Sequence, residues 1–115
     1  MTSARAAAWT PGLQQIVDAV AAAMGVDVTV ADADLLRVAG TGPFAVALGG
    51  KVPGGCVFER ALSSMATVVV ENPREAALCV NCKGRDTCRE TLGMCTPIVM
   101  GGEARGVLAI VAFTP

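Results

Sequence analysis

The 115 residues are enough for one hydrophobic core and leave no room for a second. With 53% hydrophobic and 17% charged residues the chain is not disordered. A net charge of −1 and 3% aromatic residues exclude both a phosphate-backbone footprint and a base-stacking platform, so no direct nucleic-acid contact is expected. The chain holds no histidine, which removes the commonest general base, metal ligand and proton switch together, and no enzyme is expected. No apolar run reaches the about 18 residues of a membrane span, and the opening MTSARAAAWTPG has no signal-peptide core, which predicts a cytoplasmic domain.

Thr10 and Pro11 read as a helix start, an N-cap followed by proline where its missing N–H costs nothing. Leu13, Ile16, Val17, Val20 and Met24 then recur at helical spacing until Gly25, predicting a helix over 11–24. That apolar stripe must cover the sheet or meet a second copy, and the expectation is a homodimer. Val26, Val28 and Val30 alternate with Asp27 and Thr29 as a strand. Asp32 to Asp34 turns the chain and Leu35 to Ala39 returns it, a hairpin. The Asp32 and Asp34 carboxylates are read as turn residues rather than as an acid–base pair.

Residues 40–55 are rich in Gly and Pro and predict an irregular stretch with one short helical turn around Phe44 to Leu48. A phosphate loop is not present there: Ala45 stands where its first glycine belongs, and Val52 replaces the hydroxyl residue after Lys51. A second helix is predicted over 56–64 and a strand over Thr67 to Val70, closed by Asn72 and Pro73. Thr96 to Met100 and Arg105 to Phe113 form a final hairpin around Gly101 and Gly102. The sum is an α+β domain over 1–115: five strands, mostly antiparallel, with flanking helices and one face covered.

Between the third and fourth strands, about 71–95, lies a cysteine-rich insert with Cys79-x2-Cys82-x5-Cys88-x6-Cys95. It has few large apolar residues, and Lys83, Arg85, Asp86, Arg89 and Glu90 surround its thiols, so four packed structural cysteines fit poorly. Four thiols near each other in a chain without an export signal point to metal or redox use. Structural zinc favours two short knuckles, and only the first gap here is short; a [4Fe–4S] cluster tolerates unequal spacing because each cysteine reaches a different iron. Lys83, Arg85 and Arg89 outnumber Asp86 and Glu90, which suits a dianionic cluster. The expected ligands are Cys79, Cys82, Cys88 and Cys95, with zinc as the alternative metal. Cys56, at the start of the second helix, is the alternative fourth ligand, helped by a helix N-terminus that lowers thiol pKa, and is otherwise a buried small residue.

Glu71-Asn72-Pro73, Cys79-x2-Cys82-x5-Cys88, Thr96-Pro97-Ile98 and the run Gly106 to Phe113 resemble the PAS/GAF-like sensory domain at the N-terminus of bacterial enhancer-binding transcription activators. The resemblance implies a PAS-type sheet with the cysteine insert between strands three and four. It also implies a regulatory role beside an ATPase module and a DNA-binding helix-turn-helix, carried on a longer parent chain or a partner protein. Residue by residue, Cys79, Cys82 and Cys88 match its recurrent cysteine positions, and Cys95 matches a less regular one.

Overall fold

The computed structural model describes residues 9, 12–52, 57–73, 75–79, 81–83 and 88–113. The predicted start at Thr10 and Pro11, and Cys56, lie outside them. The first helix, α1 (Leu13–Met24), ends where Gly25 takes a left-handed conformation (φ 67°, ψ 33°) and donates its N–H to the Ala21 carbonyl at 2.9 Å. The alternating valines make β1 (Asp27–Asp32), which turns back into β2 (Arg37–Gly40). A 3-10 helix over Gly42–Ala47 and the short helix α2 (Val57–Ser64) lead to β3 (Val68–Glu71), and β4 (Glu90–Met100) and β5 (Glu103–Phe113) close the chain.

The five strands form one sheet in the order β2-β1-β5-β4-β3, every neighbour antiparallel. The tight β4–β5 turn works because Gly101 and Gly102 both sit at positive φ, 62° and 78°, where a side chain would be strained. At the β1–β2 turn the Asp32 Oδ1 accepts the N–H groups of Asp34 (2.9 Å) and Leu36 (3.1 Å), so this buried carboxylate is a turn clamp. The expected turn role of the pair is what the structure shows for Asp32.

Two expectations are corrected. The fourth strand begins at Glu90, not Thr96, because Gly93 and Cys95 point inward between Thr91, Leu92 and Met94; a glycine and a cysteine on the buried side of a strand weaken the alternation that marks one. Both sheet faces are covered, not one. On the outer face α1 packs Leu13, Val17, Val20 and Ala21 against Val28, Val30, Leu108 and Ile110. The Gln14 side-chain amide fastens the helix to edge strand β2, donating to the Gly40 carbonyl (2.8 Å) and accepting the Gly40 N–H (3.0 Å). Trp9 lies against Gly106 of β5, where any Cβ would run into its ring and the Ala31 carbonyl. The apolar stripe of α1 thus divides: Val17 is buried on the sheet while Ile16 and Met24 face outward, 53% and 58% exposed. On the inner face α2 and the 3-10 helix cover Ala31, Cys95, Val107, Ala109 and Val111 with Phe44, Phe58 and Ala61.

Candidate functional site

Two groups of residues carry chemistry. The first is the connection 72–89 between β3 and β4. It leaves β3 with the Asn72 N–H donating to the Thr91 carbonyl (2.8 Å) and proceeds by short local bonds. Glu75 donates to Asn72 (2.9 Å), Cys79 to Ala76 (3.1 Å) and Cys82 to Cys79 (3.0 Å). Cys79 ends a one-turn 3-10 helix, Ala77–Cys79, and the Cys82-to-Cys79 bond puts the two members of the Cys-x2-Cys pair on a single turn. Cys79 is buried, and Cys82 and Cys88 are half-buried. Cys95 lies on β4: it pairs with Val68 and Ala109, is 2% exposed, and belongs to the same core cluster as Phe58 and Ala61. Among the described residues no three Cys, Asp or Glu side chains gather closely enough to hold one metal ion. The donor chemistry, three thiols within ten residues on a polar segment, suits a soft metal; among the described residues they are not drawn into a closed set. Metal sites are commonly assembled by the metal itself, because an open set of ligands closes only when binding compensates the ordering cost.

The second group sits on the inner face and was not foreseen. Arg37 of β2 is half-buried. Its guanidinium carbon stands 4.8 Å from the Phe44 ring centre and 5.7 Å from that of Phe58, and its Nη1 donates to the Thr29 hydroxyl at 3.1 Å. Phe113 reaches Phe44 at 5.7 Å between centroids, so two phenylalanine rings flank the cation and the third packs behind one of them. Glu90, the first residue of β4, lays its Oε1 over Gly93, 3.2 Å from where a Cβ there would stand. Burial pushes the Glu90 carboxyl above its ordinary value, and the Arg37 charge draws it partly back. Arg37 and Glu90 lie more than fifty residues apart in the chain and on strands with β1 and β5 between them; the one sequence signal was a charged residue on the inward side of a predicted strand.

The chain can be compared with proteins already characterised. No protein-family model matches it. It is 30% identical over 105 residues, 90% of this chain, to a sigma-54-dependent transcriptional regulator of Escherichia coli strain K12, UacR, provisionally assigned to uric acid; the match spans 18% of that regulator. Among solved structures, the GAF domain of a phosphoenolpyruvate-protein phosphotransferase from Coxiella burnetii superposes with a TM-score of 0.73 at 14% identity, over 97% of this chain and 73% of that one. The A. aeolicus nlh2 GAF domain in an inactive state gives 0.68 at 19% identity, over 90% of this chain and 67% of that one. A free methionine-R-sulfoxide reductase from Neisseria meningitidis gives 0.70 at 20% identity over 96% and 68%, a likeness of fold alone. The antiparallel order β2-β1-β5-β4-β3, helices on both faces and these superpositions give the chain a GAF-like fold.

Proposed function

We propose that this domain receives a signal for a sigma-54-dependent transcription activator and that Cys79, Cys82 and Cys88, with Cys95 as fourth ligand, hold an iron–sulfur cluster. The observation that carries the regulatory half is the match to 18% of a sigma-54-dependent regulator, which leaves the greater part of such a protein for output modules. The cysteine half is supported by the spacing of three thiols on a segment with little apolar material and by the turn that already pairs Cys79 with Cys82. When bound, an iron–sulfur group supplies a redox-active, oxygen-labile centre. The chain's part is mechanical. The Asn72 to Thr91 bond ties one end of the connection into the sheet and Glu90 starts β4 at the other, so reordering residues 72–89 pulls on both strands. The domain is non-catalytic, acts in the cytoplasm, touches neither nucleic acid nor membrane itself, and pairs as a homodimer through the outward residues of α1. Among the described residues no helix is long and apolar enough to cross a membrane.

The test is iron, acid-labile sulfide and zinc analysis of anaerobically purified protein with its absorption spectrum. The proposal expects brown protein with iron and sulfide in equal amounts and absorption near about 400 nm, the thiolate-to-iron region, lost in Cys79→Ser, Cys82→Ser and Cys88→Ser. Colourless protein with one zinc per chain would establish instead a ligand-binding module with a stapled loop. Cys95→Ala and Cys56→Ser separate the two candidates for the fourth ligand: the substitution that strips the metal marks it.

A further inference from the structure

The cysteines between 79 and 95 do not stand alike toward one another. The Cys82 N–H reaches the Cys79 carbonyl at 3.0 Å, and a bond of this kind, spanning four residues, keeps the two Cα atoms within about 7 Å. A disulfide closes at about 4.4 to 6.8 Å between Cα atoms, so this pair is within its reach. Cys88 follows Cys82 by six residues and would have to close a larger loop. Cys95 is fixed in β4 between Val68 and Ala109 and cannot approach the pair without opening the sheet. The pair is also unequal. Cys79 is buried and Cys82 half-buried, which makes Cys82 the sulfur an incoming reagent meets first and Cys79 the one that resolves the adduct. Short local bonds rather than a core hold the segment, so the backbone adjustment that aligns the two Cβ directions costs little.

We propose that Cys79 and Cys82 are a modification site, closing in the metal-free chain into a reversible disulfide at the expense of a low-molecular-weight disulfide such as oxidised glutathione. The Cys82 Sγ attacks one sulfur of the reagent and gives its proton to solvent; the reagent's S–S bond breaks, and one glutathione leaves as a thiolate that takes up a proton. The Cys79 Sγ then attacks the Cys82 sulfur in the same way and expels the second glutathione. The chain loses two hydrogens with their electrons, and the reagent gains them as two thiols. A disulfide here withholds two of the four expected thiolates, so oxidation and loading of the segment exclude each other. That consequence rests on the cysteine reading above, whereas the disulfide itself does not.

Trypsin cuts after Arg74 and Lys83, which keeps Cys79 and Cys82 together in one peptide, Glu75–Lys83, and puts Cys88 in another, so the connectivity is read directly by mass. The metal-free chain is exposed to oxidised glutathione, denatured, alkylated with iodoacetamide and digested. Glu75–Lys83 should lack two hydrogens and carry no alkyl group, and dithiothreitol before alkylation should restore both thiols. In Cys79→Ser the reaction should stop with glutathione on Cys82. In Cys82→Ser the remaining Cys79 should react about tenfold more slowly than Cys82 does, with an unchanged circular dichroism spectrum in both variants. Two alkylated thiols in Glu75–Lys83, a cross-link to the Cys88 peptide as the main product, or a Cys79 that reacts as fast as Cys82 would each overturn the site. Iron and sulfide uptake is measured on the reduced and the oxidised chain, and the reduced chain alone should load. Loading of both overturns the exclusion; loading of neither overturns the cluster reading, while the mass of Glu75–Lys83 still decides the disulfide.

Discussion

The sheet and the 72–89 connection obey different rules. The β1, β4 and β5 ladders pair residue against residue, and Val28, Val30, Val107 and Ala109 are fully buried on one face or the other. The connection, in contrast, shows among its described residues one-turn bonds between residues three apart, with Cys79 and Pro73 its buried side chains. Ordering a residue costs about 1 to 2 kcal/mol, and burial offsets that in the sheet but not in the connection. The sheet is therefore self-sufficient, whereas on the proposed reading the connection depends on a group held by its thiols.

The sharpest contrast should come from Phe58→Ala, which empties the inner core at α2 and is expected to cost about 3 to 5 kcal/mol, seen as a lower urea midpoint with an unchanged slope. Next in size is Cys95. Because its thiol is buried among apolar side chains, Cys95→Ser should destabilise even the metal-free protein by about 1 to 3 kcal/mol through a hydroxyl forced into the core, while Cys95→Ala costs less. For this reason alanine is the fair test of ligation at that position. Glu90 gives a pH signature. Its carboxyl is raised in the folded state, so the native protein binds the proton more readily than the unfolded chain. Stability should fall as pH rises from the ordinary glutamate range of about 4.3 toward the raised value, and Glu90→Gln should remove that slope in denaturation curves taken across it. The smallest effect is expected from Cys82→Ser in stripped protein, under about 0.5 kcal/mol, although the same change should abolish metal binding. A large loss of stability there would break the contrast between the two regions.

The parts of the molecule built by local pattern were readable from the chain. The helix ending at Gly25, the valine alternation of β1 and the Gly101-Gly102 turn each state their geometry in neighbouring residues. Where pattern and packing disagreed, reading failed. Gly93 and Cys95 do not look like a strand, yet both are buried, Cys95 in the core with Phe58 and Ala61 and Gly93 where a Cβ would stand 3.2 Å from the Glu90 carboxylate. The covering of both faces was missed because an amphipathic stripe does not say whether its partner is its own sheet or a second copy. Of the candidate residues, the cysteines were visible by spacing, but the group around Arg37 was not, since Arg37, Thr29, Phe44, Phe58 and Phe113 come from β2, β1, the 3-10 helix, α2 and β5 and meet only in the folded chain.

Amide hydrogen exchange on loaded and stripped protein tests the account most directly. Removal of the metal should raise exchange across 72–89 and leave the β1–β5 and β4–β5 ladders as protected as before, because the sheet carries its own core. Equal protection of 72–89 in both forms would show that the connection orders itself and would contradict the division of the molecule into a self-sufficient sheet and a cofactor-ordered sensor segment.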